Sequence, residues 1–284
     1  MIEPFHLLES RTWTAPLGVK FWDVSTGAHV RGGLRVIAYP DGHSRHHTQA
    51  SANRSGAYVF HQTLDESPGT GQRYTILVHD RERRFLPVKF EADFPTTGFF
   101  QWPISRPRTL MEPLDGSVPL YPSILCDATA GMAVLRAELH EPADGNRAAW
   151  AMIEARFNGQ LIGRSIADEQ GRVALIFAYP PPHDSLSSSN PPPAGGVTTR
   201  LPFLKQEWTI QLQVFYQPTS LSLPPLPVGS ARDDLSVPQL SGIFNQAPAN
   251  VFLDQAMTEP FTEVNLMYGP DPAPLSILFA SPAN

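Results

Sequence analysis

Three imidazoles stand within one short stretch, His43, His46 and His47, just after Asp41. Such side chains bind Zn or Ni when a helix or strand aims them, with a carboxylate, at one point. Here the spacing fits neither the i, i+4 repeat of a helix nor the alternation of a strand, and Arg45 sits among them. A solvated polar loop is the reading, and no metal is assigned. Cys126 is the only cysteine. It excludes an internal disulfide, and beside Leu125 it reads as a small buried apolar residue rather than a nucleophile. Asp233 and Asp234 lie in a proline-flanked stretch where both carboxylates would be solvated, so neither is poised as a general acid. Asp127 and Asp168 read as turn formers. His61, His79 and His140 are isolated in or beside strands, which suits hydrogen-bonded structural roles. No Gly-x-Ser-x-Gly elbow, Walker loop, His-Glu-x-x-His or Cys-x-x-Cys occurs. The expectation is a chain that is not an enzyme, with no catalytic residue, cofactor or metal.

The elements around these residues read as strands. The chain has 284 residues, 42% of them hydrophobic, with 30 prolines and 20 glycines that punctuate apolar runs. That pattern suits many short strands joined by tight turns, in about two domains of roughly 150 residues. Val19 and Phe21 share one face, Leu34, Val36 and Ala38 another, with turns at Thr26-Gly27 and Asp41-Gly42. Asn53-Arg-Ser-Gly56 opens a strand carrying Tyr58 and Phe60; Tyr74–Asp80 and Phe85–Phe90 continue the pattern. A first β-sandwich is expected over 1–102, followed by a linker over 103–122 whose five prolines make it a semi-rigid spacer.

The pattern then repeats over 123–218. Val134–Leu139 stands where the Val19 strand stood, Asp144-Gly145 is the turn, and Trp150–Phe157 is the next strand. Asp168-Glu-Gln-Gly171 reproduces Asn53-Arg-Ser-Gly56, and Trp208–Tyr216 parallels Tyr74–Asp80, so an internal duplication is inferred. The proline- and serine-rich stretch within 180–200 reads as an exposed insertion. Residues 219–284 form an extended proline-rich arm with apolar clusters that must lie against something. The reading assigns it to a neighbouring protein through Ile243, Phe244, Val251, Phe252, Leu253, Leu266, Tyr268, Leu275, Ile277 and Phe279, and expects removal of 219–284 to leave both sandwiches folded.

The run from Val24-Ser-Thr-Gly27 through Leu34-Arg-Val36 to Asn53-x-x-Gly56-x-Tyr58 resembles carboxypeptidase regulatory-like and transthyretin-like modules. The resemblance covers about residues 17–90 and, more weakly, 130–218. It implies an all-β chain of two Ig-like, transthyretin-like antiparallel β-sandwich modules, used structurally. One enzyme, the 5-hydroxyisourate hydrolase, shares the transthyretin fold. Its His-Val-Leu-Asp run is here Lys20-Phe-Trp-Asp23, and its Tyr-Arg-Gly-Ser ending is absent. The wider layout, with Arg84-Phe-Leu-Pro87, Trp150, Asp168-x-x-Gly171-Arg-Val173, Tyr179-Pro180, Ile243-Phe-Asn-Gln246 and Tyr268-Gly269, looks like accessory proteins found beside phage-tail-like contractile injection systems. That likeness implies a structural or baseplate-type subunit whose partners are other protein subunits of a larger assembly, or a second copy.

The net charge of −6 opposes binding to a nucleic-acid backbone, which relies on clustered Lys and Arg. No uncharged run approaches the length of a membrane span, and Met1–Leu8 lacks the basic and apolar parts of a signal peptide. The expected location is the cytoplasm, alone or within a particle the cell releases. The alternative function is a carbohydrate- or cell-surface-binding sandwich, in which an exposed tryptophan such as Trp102, among Trp13, Trp22, Trp102, Trp150 and Trp208, would form a stacking platform, although Trp150 and Trp208 occupy strand faces expected to be buried.

Overall fold

Alternating burial runs along the strands as their sequences require. In a computed structural model of the chain, Trp208, Ile210, Leu212 and Val214 are buried, while the alternate Glu207, Thr209 and Gln211 are exposed and Gln213 is half-buried. The structure describes residues 17–40, 47–60, 72–94, 98–103, 109, 112–113, 115–181, 207–221, 237–252, 262–267 and 276–282. Among these the chain is all-β. The first half holds β1 (Leu17–Val19), β2 (Phe21–Asp23), β3 (Leu34–Pro40), β4 (Thr48–Gln49), β5 (Ser51–Ala52), β6 (Tyr58–Phe60), β7 (Gln72–Asp80), β8 (Val88–Phe94) and β9 (Val118–Leu120). The second holds β10 (Met132–His140), β11 (Met152–Phe157), β12 (Gln160–Ile166), β13 (Arg172–Ala178) and β14 (Glu207–Phe215). A short helix, α1 (Leu240–Phe244), then precedes β15 (Pro248–Phe252), β16 (Glu263–Met267) and β17 (Ser276–Pro282). No helix among the described residues is long and apolar enough to cross a membrane.

The first half pairs its strands in the orders β4-β3-β7-β8, β1-β6-β5 and β2-β9. The second half forms one eight-stranded sheet, ordered β12-β11-β14-β15-β17-β10-β13, with β16 on part of β14. Its two ends approach each other. Ser165 Oγ on β12 donates to Ala174 O on β13 at 2.7 Å, and a Cβ on Gly163 would stand 3.0 Å from Phe177 Cβ. The missing side chain of Gly163 lets the sheet close over its core.

The inferred duplication reappears hydrogen bond by hydrogen bond. Val30 N–H donates to Phe21 O at 2.9 Å, as Ala148 N–H does to Leu139 O; Gly27 N–H donates to Asp23 O at 2.8 Å and Gly145 N–H to Glu141 O at 3.0 Å. Antiparallel pairing of β1 with β6, β3 with β4 and β3 with β7 is matched by β10 with β13, β11 with β12 and β11 with β14. Both Asx turns have one geometry. Asn53 Oδ1 accepts from the N–H groups of Ser55 and Ala57, and Asp168 Oδ1 from those of Gln170 and Arg172. Gly56 and Gly171 adopt φ of 82° and 72°, a region that favours glycine, and a Cβ on Gly171 would lie 2.5 Å from Leu139 O.

Asp168 also accepts from Arg172 Nε at 2.9 Å and is 9% exposed. Its replacement by Ala leaves two backbone donors without their acceptor, so Asp168→Ala is expected to cost about 2 kcal/mol, read from the urea midpoint at constant m. Asp168→Asn, which keeps an acceptor at the same place, should recover part of that loss.

The rest of the chain is more tightly joined than the sequence suggests. The end of the 103–122 stretch is a strand: β9 runs parallel to β2, and Val118 and Leu120 are fully buried. Residues 219–284, read as an arm on a neighbour, supply α1 and three strands to this chain's own structure. Val237, Leu240, Ile243 and Phe244 join the core of the first half, together with Trp150, Met152, Ile166 and Phe215 of the second. Val251, Leu278 and Ala280 join the second core. Strand β11 is thus buried on both faces, Met152 toward the first half and Ile153 inward.

Candidate functional site

The two halves meet around α1. Its apolar residues Leu240, Ile243 and Phe244 are separated by one or three positions on a single turn, and all are buried. The Phe244 ring lies 6.0 Å from Trp102, 6.3 Å from Tyr121 and 5.6 Å from the Arg164 guanidinium, measured to ring centroids. After the helix, Gln246 Nε2 donates to Trp150 O at 2.8 Å, and Gln217 N–H donates to Gln246 Oε1 at 3.0 Å. Trp150 has φ of 63°, strained for a bulky side chain, and the amide of buried Gln246 holds its carbonyl in place.

Under Phe244 lies a buried charge cluster. Arg164 Nε and Nη2 donate to Glu154 Oε1 at 3.0 and 2.7 Å, and Arg156 Nη2 donates to Oε2 at 2.8 Å. Glu154 is 1% and Arg164 4% exposed. These residues come from adjacent strands, β11 and β12, whose register places Glu154 opposite Arg164. Burial pushes the Tyr121 phenol well above its ordinary range, outweighing the nearby Arg164, so it remains a neutral phenol. The sequence reading missed this cluster and Gln246 as seam residues.

An open cleft of about 470 Å³ lies between turns of the first half and the start of the second, lined by Asp23, Thr26, Arg83, Arg84, Leu125, Cys126 and Ile176 among others. Leu125 is 69% exposed. Cys126, expected to be buried, is only half-buried; its thiol is pushed up by burial and then by the charges of Asp23 and Asp127. A thiol held protonated is a poor nucleophile. Beside the cleft, the fully buried Asp80 carboxylate accepts from Arg84 N–H at 2.7 Å and from Arg84 Nε and Nη2 at 3.0 Å each.

Burial alone would raise the Asp80 pKa, but the hydrogen bonds from the Arg84 side chain and backbone outweigh it and hold the carboxyl below its ordinary value. A depressed folded-state pKa contributes stability above the unfolded value, and that stability is lost as pH falls through the folded value. Unfolding stability should therefore drop below about pH 4. Asp80→Asn should flatten that acid limb in urea titrations at pH 7 and pH 3.

The sequence-derived candidates fall into three groups. Ile243 and Phe244 meet at the seam, and Val251 lies in the second core. Phe252 and Leu266 are half-buried on β15 and β16, and Ile277 and Phe279 belong to β17, where their backbones pair with Glu138 and His140 of β10. Leu253, Tyr268 and Leu275 lie outside the described residues, as do His43, His46, His61 and Trp13. His140 Nδ1 meets Gly145 O at 3.1 Å. Trp22, Trp102, Trp150 and Trp208 are all buried, so none of these four offers a stacking face to a sugar.

The geometry defines an all-β chain whose two halves repeat one hydrogen-bond frame and share a polar, helix-capped seam. No family model, curated protein or solved structure matches it.

Proposed function

We propose that this chain is a non-catalytic assembly subunit that binds other proteins, an accessory or baseplate component of a phage-tail-like contractile injection particle. In this reading the repeated frames are two transthyretin-like, Ig-like antiparallel β-sandwich modules, and the proline-rich C-terminal segment is the element that ties modules together. The chain is made in the cytoplasm and carried in the particle.

One observation supports the reading: Phe244 of the C-terminal segment packs at once against Trp102 and Tyr121 of the first half and Arg164 of the second, a contact suited to holding two modules in one relation. Glu154, Arg164 and Gln246 each point at protein partners at hydrogen-bond distance, and Phe244 caps them. A rigid two-module body with its strand edges filled by remote segments suits a part that must hold its shape under load. The motif likeness to accessory proteins of injection systems supplies the kind of assembly. Against the carbohydrate alternative, Trp22 and Trp102 are buried, as are Trp150 and Trp208, which were expected to be.

The test is particle purification from the chain's own host with an affinity tag on this protein. Co-sedimentation with contractile particles at constant stoichiometry, and altered particles in a deletion strain, are the expected results. Particles of normal composition and length in the deletion strain, with the tagged chain staying at the top of the gradient, would overturn the proposal.

A further inference from the structure

We draw no further inference here: the strongest candidate, the open cleft between the Asp80–Arg84 turn and the loop that carries exposed Leu125, is lined by Arg83 together with Asp23 and Asp127, and with charges of both signs in its lining nothing in the structure shows what covers it.

Discussion

A chain ending at residue 236 should give no cooperative unfolding transition and should lose its near-ultraviolet circular dichroism. The deletion takes Leu240, Ile243 and Phe244 from the first core and Val251 and Leu278 from the second, all buried. At about 1.5–3 kcal/mol for each large apolar side chain kept from water, these five contribute on the order of 10 kcal/mol. That is comparable with the whole stability of an ordinary domain, about 5–15 kcal/mol. The deletion also bares the backbone edges of β14 and β10 inside the sheet and removes the Gln246 side chain that holds Trp150 O. The result expected from sequence alone, two sandwiches left folded after loss of 219–284, is the opposite. A truncated protein with a sharp urea midpoint and intact near-ultraviolet signal would show that the segment is an appendage. Phe244→Ala provides a milder form of the same test. It should cost about 3–5 kcal/mol, because the ring fills space among Trp102, Tyr121 and Arg164.

What the sequence made legible was local. Asn53–Gly56 and Asp168–Gly171 were readable because an Asx side chain, its two backbone donors and a glycine of positive φ lie within five residues of one another. The strand at Trp208–Tyr216 was readable because its alternation is clean. Such signals are complete within a few positions, and a matching pair of them exposed the repeat. Strand insertion leaves no such trace. Nothing near Ser276 says that its strand pairs with Ala137, and nothing near Val118 says that it lies parallel to Phe21. In both places prolines nearby suggested a spacer or an arm, yet proline is compatible with short strands whose pairing spares the missing N–H. Trp102 was misplaced for a related reason: its cover, Phe244, arrives from far along the chain. The seam charges had a faint signal. Glu154 and Arg156 interrupt a strand whose other residues, Met152, Ile153, Ala155 and Phe157, are all apolar, and charges inside such a run need a partner.

That partner sets the size of the other large effect. Glu154→Ala should destabilise the full chain by about 3–5 kcal/mol, because it leaves the Arg164 guanidinium desolvated with no carboxylate opposite it. Arg156 is better placed to recover, since its side chain is 28% exposed and can turn to water. Glu154→Gln keeps an acceptor but not the charge, and should lie between Ala and the native residue. The informative variant is the double replacement Glu154→Met with Arg164→Met. Removing both charges abolishes the uncompensated desolvation, and buried ion pairs exchanged for apolar residues are often neutral or even stabilising. The two single changes should therefore each cost far more than the pair, giving a coupling energy of about 3 kcal/mol in a double-mutant cycle by urea unfolding. If the single changes cost less than about 1 kcal/mol and simply add, the charges are hydrated as a surface pair would be. Water would then reach the Arg164 guanidinium beneath Phe244, and the contact of that ring would not be the closed packing that a rigid two-module body needs.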